Sequence, residues 1–368
     1  MMLKTLDLSR RYAPPQPLPA VHTLRADDAL LRQARDLGFG AIVQVFSWQE
    51  IEPNRGEWHW EYPDFLLRAT EFYGLDLIVR LDQPPAWAWR TPTEAHGFSF
   101  ATAAYLRFVE ATAQRYRGRI QAYIIWNEPN LALEWGAPPD PVAYAQLLQQ
   151  AYLTIKRVDP LARIISAGLA PTNEQSDQAL DDRLFLEKMY QAGARPFFDA
   201  LGAHPYGFAY PPDDPQGAHN GLNMNRLLAL RATMEAHGDA AKPVWATEIG
   251  WTTRGLGEHA WFTVTPQEQA DYLARAWQKA QVEFPWLQVF TVWNLSSGLP
   301  AGDEKAGYSI LHEDGTPKPA YQALRQELTA GLGRRALALR QRLNALLPDP
   351  SPVPILAQDA EIHLGDSE

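Results

Sequence analysis

Seven short apolar runs recur along this chain at intervals of roughly 35 to 45 residues, and this recurrence limits the possible folds more than any other feature. The runs are Phe39 to Phe46, Leu75 to Leu81, Ile120 to Trp126, Ala162 to Ala167, Phe198 to Ala203, Pro243 to Thr247 and Leu287 to Trp293. Each follows turn residues, and the intervals carry helical periodicity, as in "TAAYLRFVEATAQRYRG" and "PVAYAQLLQQAYLTIKRV". Regular alternation of strand and helix is the pattern of βαβ units on a parallel sheet. Strands in such a sheet are covered on both faces, so they read as unbroken Ile/Val/Ala/Leu runs. An eighth strand is supplied by "PAVHTL", Pro19 to Leu24, just ahead of the helical segment Asp27 to Leu37. The expected architecture is α/β, a (β/α)8 TIM barrel.

The 368 residues suit one large barrel with appendages. An N-terminal extension is expected over 1–17 and the barrel over 18–347, closed by the helical patterns "KPAYQALRQELTA" and "RRALALRQRLNALL". A Pro-rich, acidic tail or linker is expected over 348–368. A hydrophobic fraction of 46% with 21% charged residues is that of a chain able to bury a large core. The net charge of −10 and pI near 5.4 argue against a nucleic-acid partner, which calls for a basic face. No apolar run approaches the roughly 18 residues that span a bilayer, and the first residues lack a signal peptide's apolar core. The chain as written is expected in the cytoplasm; it would be secreted if a signal peptide had been removed. The sequence has no cysteine, which excludes disulfides, thiolate nucleophiles and cysteine-ligated metals. No metal or other cofactor is expected, and the oligomeric state is open. The 13 Trp and 14 Tyr match a site for sugars, whose CH faces lie on flat rings, but tryptophan also fills cores.

In a parallel barrel the chemistry sits at the C-terminal ends of the strands. Two glutamates follow apolar runs there: Glu128 after "AYIIWN" and Glu248 after "PVWAT". They fall on the fourth and seventh strands and can face one another across the mouth. Either alone could be a solvated loop residue or half of an ion pair. Together, each at a Trp-containing strand end, they form the pair that glycosidic bond cleavage needs. One protonates the departing oxygen while the other attacks or stabilises the anomeric carbon.

"WNEPN" and "TEIGW" together resemble the signatures of clan A glycoside hydrolases, retaining (β/α)8 enzymes with catalytic glutamates after the fourth and seventh strands. The resemblance covers roughly Phe39 to Leu324. "FSWQEIEPNRGEWHWEYPD", "DQPPAWAW", "GAHPYGF" and "KPAYQAL" are most similar to glycoside hydrolase family 39 and its relatives. The resemblance implies that Glu128 is the general acid/base and Glu248 the nucleophile. It also implies that Asn127 contacts the sugar 2-hydroxyl, Tyr206 bonds the nucleophile, His204 touches the sugar, and Trp293 forms a platform beneath it. In such a pair the ionised nucleophile discourages ionisation of the acid until the sugar esterifies it. Retention calls for carboxyl groups roughly 5 to 5.5 Å apart, inversion for about 6.5 to 9.5 Å.

Trp48, Trp87, Trp89 and Trp251 follow other strand ends and are candidates for lining further sugar subsites, with core packing as the alternative. Arg80 and Asp82 read as a charge bridge or as sugar ligands. Trp58 and Trp60 belong to a loop expected to close against the barrel. The function that follows is a retaining glycoside hydrolase cleaving β-glycosidic bonds of an oligo- or polysaccharide. A barrel that binds carbohydrate without catalysis, a transglycosylase, and a metal-dependent hydrolase using strand-end histidines such as His204 stay open as alternatives.

Overall fold

The computed structural model describes residues 16–89 and 100–330, and all eight expected strands lie within them. They are β1 (Leu18–Thr23), β2 (Ala41–Ser47), β3 (Asp76–Asp82), β4 (Ala122–Ile125), β5 (Arg163–Ser166), β6 (Leu201–Ala203), β7 (Val244–Ile249) and β8 (Leu287–Val292). A helix follows each: α1 (Asp28–Leu37), α2 (Glu61–Tyr73), α3 (Thr102–Arg115), α4 (Pro141–Val158), α5 (Asp182–Gln191), α6 (Arg226–Ala236), α7 (Pro266–Glu283) and α8 (319–330). The helix starts are written in the sequence. Asp27 accepts from the Leu30 amide ahead of α1, Asp140 caps α4 with Pro141 behind it, and Thr265 with Glu268 closes a reciprocal capping box on α7.

The strands pair in parallel in the order β5-β4-β3-β2-β1-β8-β7-β6. The ring closes where Ile165 of β5 bridges Ala200 beside β6. This is a (β/α)8 barrel, as the strand spacing predicts. The second closing helix expected over 334–347, the tail from Pro348 and nearly all of the N-terminal extension lie outside the described residues. Among the described residues no helix is long and apolar enough to cross a membrane.

Alternation along the strands sorts the core into two layers. Ala20, Ala41, Val43, Ile78, Ala122, Ile124, Ile165, Ala200, Trp245 and Val289 point inward and fill the barrel as one cluster. Val21, Ile42, Leu77, Val79, Tyr123 and Ile125 point outward into the cluster shared with the helices. One step further along the inward face, β1 places His22 and β3 places Arg80. The apolar floor thus gives way to a polar layer near the mouth.

β7 departs from strict alternation. Val244, Ala246 and Ile249 all join the outer cluster, although 246 and 249 are an odd number of residues apart. Ala246 pairs with Phe290 and Ile249 with Val292, so three residues of β7 oppose two of β8. Such a bulge re-aims side chains. Here it turns Glu248 into the barrel, while Ile249 still reaches the helices.

Candidate active site

Glu248 lies inside a strand, 6% exposed, among groups that favour its anion. Arg80 Nη1 donates to Oε1 at 2.7 Å, and the Tyr206 hydroxyl donates to Oε2 at 2.7 Å. His204 Nδ1 stands 3.8 Å from Oε2 and His22 Nε2 3.9 Å from Oε1. Burial alone would raise the pKa of this carboxyl. His204, Arg80, His22 and the Tyr206 hydroxyl outweigh burial and bring it down to about 2. Arg80 also reaches Asp82, at 2.7 Å from Nε, and donates from Nη1 to Asn127 Oδ1 at 2.8 Å. The charge bridge expected between Arg80 and Asp82 is therefore present, and it belongs to the site.

Glu128 is held differently. β4 leaves the ladder at Ile125, and the turn that follows contains two non-glycine residues in the left-handed region, Trp126 at φ 74° and Glu128 at φ 37°. That region is uncommon for side-chain-bearing residues and persists where the surroundings enforce it. Trp126 stacks on Phe100 with centroids 4.5 Å apart and donates its ring N–H to Glu134 O, and the Glu128 amide donates to Gly168 O at 3.1 Å. The Glu128 carboxyl meets His204 Nδ1 at 2.7 Å. Burial raises Glu128 above the ordinary carboxylate range; His204 works against the rise, and the charges of Glu248 and Glu134 add to it. The His204 imidazole is likewise held above its usual pKa: burial opposes this, but Glu248 and Glu128 outweigh it.

The candidate oxygens of Glu128 and Glu248 and Nδ1 of His204 all lie within 4.8 Å of one another. By spacing alone the trio could hold a divalent ion. Each of these side chains is already engaged in a protein hydrogen bond, and a guanidinium lies against Glu248, so the donor set fits proton chemistry better than a cation. His204 is the only histidine among the three, which weakens the metal-hydrolase alternative.

The other expected site residues separate into two groups. Tyr206 bonds Glu248, and Asn127 is 7% exposed beside Arg80, both at the carboxylate pair. Trp293 is half-buried with ring centroids 6.5 Å from Tyr206, 6.5 Å from His22 and 5.2 Å from Tyr308, so it borders the same space. His204, expected as a sugar contact, is 3% exposed and spends Nδ1 on Glu128 instead. Its ring can lie there because Gly168 has no side chain: a Cβ at that position would stand 2.2 Å from the imidazole.

Trp48 and Trp251 are corrections to the expected sugar ligands. Trp48 is fully buried, stacks on Phe108 and donates its ring N–H to Glu52. Trp251 is fully buried under Gly207, where a Cβ would stand 2.1 Å from the indole, and donates to Tyr210 O. Both lie in the outer cluster, on the helix side of their strands, where burial of a large ring outweighs display. Trp87 is half-buried, edge-on to Trp48, with its N–H on Glu52 O. Trp89 is exposed, with its N–H on Pro84 O. Trp58 and Trp60 stack on each other against the core, as expected of a closing loop.

Sequence reasoning passed over His22 and Gly168. The signal for His22 was its parity with Ala20 on β1. Its ring is fully buried, neither nitrogen has a hydrogen-bond partner, and burial lowers its pKa to about 3, so it is neutral. Gly168 carried no signal until β5 and β6 were laid side by side.

A scan against protein-family models and a search of curated proteins both find no match. Solved structures do match. A family 39 glycoside hydrolase from the gut symbiont Bacteroides cellulosilyticus is 24% identical with a TM-score of 0.64, over 86% of this chain and 64% of that one. A GH5_18 structure from Streptomyces cattleya, in complex with GlcNAc, is 16% identical with a TM-score of 0.63, over 86% of this chain and 80% of that one. A GH10 endoxylanase retrieved from a sugarcane soil metagenome is 17% identical with a TM-score of 0.58, over 86% of this chain and 98% of that one. The chain spans less than two thirds of the length of the family 39 structure. At these identities the likeness establishes the architecture: the chain shares its (β/α)8 barrel with glycoside hydrolases of families 39, 10 and 5.

Proposed function

We propose that this protein is a retaining glycoside hydrolase that cleaves β-glycosidic bonds of an oligo- or polysaccharide. The observation that carries the reading is the pair Glu128 and Glu248: a half-buried and a buried carboxyl with oxygens within 4.8 Å, one driven towards its acid and the other held as its anion. One oxygen of each carboxyl lies within 4.8 Å of the other, an approach that accords with the spacing of about 5 to 5.5 Å for retention better than with the roughly 6.5 to 9.5 Å of inversion.

In the first step the Glu248 carboxylate attacks the anomeric carbon while the bond to the leaving oxygen breaks. Glu128 delivers its proton to that oxygen. The product is a glycosyl ester on Glu248, whose negative charge is gone. Glu128, now ionised, takes a proton from water as the water oxygen attacks the anomeric carbon and the ester bond breaks. Glu248 returns as carboxylate and Glu128 as acid, and the two inversions give net retention. Arg80 and Tyr206 hold the nucleophile in position. Asn127 Oδ1 accepts from Arg80, so its amide nitrogen remains to donate to a 2-hydroxyl. Trp293 supplies a flat face for the sugar.

The experiment is a screen of aryl β-glycosides and polysaccharides, with xylan included because of the endoxylanase likeness, and the first-formed anomer read by NMR. The β anomer appearing first supports the reading. The α anomer first, or no turnover with tight sugar binding, overturns it.

A further inference from the structure

We propose that Asn130 is the positioning residue for the acid/base, fastening the turn that carries Glu128 to the segment that backs His204. The inference rests on the assignment of Glu128 as acid/base, and the experiment below separates the two.

The left-handed geometry at Trp126 and Glu128 is not supplied by the strand, which ends at Ile125. Something beyond the strand must hold it. Asn130, two residues past Glu128 and fully buried, is fixed through every hydrogen-bonding atom of its side chain. Nδ2 donates to Ala170 O at 2.8 Å and to Leu180 O at 3.0 Å, and Oδ1 accepts from the Ala170 amide at 2.9 Å. Its backbone carbonyl accepts from the Leu180 amide at 2.9 Å. These partners lie at the two ends of the loop after β5. The far end is tied down in turn by the buried Arg226 of α6, which reaches Asp181, Asp182 and the carbonyl of Thr172.

The near end of that loop is part of the site. Gly168 accepts the Glu128 amide at 3.1 Å, and its missing side chain is the space into which the His204 ring fits. One short segment therefore sets both partners of the 2.7 Å contact between Glu128 and His204, and Asn130 registers the turn against it. A slip of the turn along this segment would move the Glu128 carboxyl relative to the imidazole and to the leaving oxygen. Glu248 would stay where it is, because β7, Arg80 and Tyr206 hold it independently.

The test compares Asn130→Ala with wild type and with Glu128→Ala, using a dinitrophenyl glycoside and an alkyl glycoside of the same sugar. In Asn130→Ala, kcat/KM for the alkyl glycoside should fall at least about ten-fold more than for the dinitrophenyl glycoside, since only poor leaving groups need the proton. The ring-nitrogen NMR resonance of His204 should shift in the unliganded protein, which reports the Glu128 contact without any substrate. Equal losses on both glycosides with the His204 resonance unmoved would overturn the proposal and leave Asn130 a residue of stability alone. If Asn130→Ala does not fold, Asn130→Ser retains one hydrogen-bonding atom and carries the same two readouts, with equal losses again overturning the proposal. Should Glu128→Ala itself show no leaving-group split, the acid/base assignment falls and this proposal with it.

Discussion

The ends of β4 and β7 place the same side chain in opposite surroundings. Glu248 stands within its strand, turned inward by a bulge, with a guanidinium and a phenol on its oxygens. Glu128 stands beyond its strand in a left-handed turn, with an imidazole as its partner and a second carboxylate nearby. Glu248 is buried and Glu128 half-buried, and desolvation pushes both pKa values up. What separates them is the company: cationic and donor groups bring Glu248 down to about 2, while Glu128 keeps the rise that burial imposes. The two roles proposed for them thus rest on where the barrel places Arg80, Tyr206 and His204, and not on the identity of the carboxyls themselves.

Replacing each member of the comparison should fail in its own way. Glu248→Gln should lower kcat by at least about 10⁴-fold on every substrate, because no ester can form. A uniform small loss would remove Glu248 from the nucleophile's role. Glu128→Ala should cost about 10²–10⁴-fold with poor leaving groups and much less with activated aryl glycosides. Similar losses on both would make the two ends equivalent and break the contrast.

The contrast also has a pH signature. The proposed double displacement requires Glu248 ionised and Glu128 protonated, so kcat/KM should rise on an acidic limb set by Glu248 near its pKa of about 2 and fall on a basic limb set by Glu128. Arg80→Met removes a charge that lowers Glu248, so the acidic limb should move up towards the ordinary carboxylate value. An unmoved limb would show that Arg80 does not tune the nucleophile. The depressed pKa of Glu248 also stabilises the fold above its unfolded value of 4.5, and that stabilisation is lost as pH falls through about 2. In Arg80→Met the acid unfolding midpoint should therefore shift upward. Tyr206→Phe is the smallest change: one hydrogen bond to the anion is lost, worth about ten-fold in kcat, and the acidic limb moves up by less than in Arg80→Met.

Much of this was legible before any coordinates. The apolar runs located seven of the eight strands because strands buried on both faces cannot hide their composition, and β1 followed from the need for an eighth ahead of the first helix. Glu128 and Glu248 stood out because carboxylates at the ends of such runs need a reason. The bridge between Arg80 and Asp82 followed from position, and the bond from Tyr206 to Glu248 from the resemblance of "AHPYG" to the family pattern. The tryptophans did not separate in the same way. Whether Trp48, Trp251 or Trp293 faces the mouth or the helices depends on parity past the strand end, where turns and bulges reset the count. The partner of His204 was hidden for a related reason. It is decided by the left-handed turn at Glu128 and by the absent side chain of Gly168, two features that meet only when β4, β5 and β6 lie side by side.

The most direct test of the proposed paired roles is to treat the protein with the 2-deoxy-2-fluoro analogue of whichever aryl glycoside it turns over in the screen, then map the labelled peptide by mass spectrometry. The fluorine slows turnover of the ester, so the intermediate accumulates. The label is predicted on Glu248, within the peptide carrying "TEIGW". A label on Glu128 would exchange the two roles, and a protein that turns over the parent glycoside without ever accumulating label would contradict double displacement at this site.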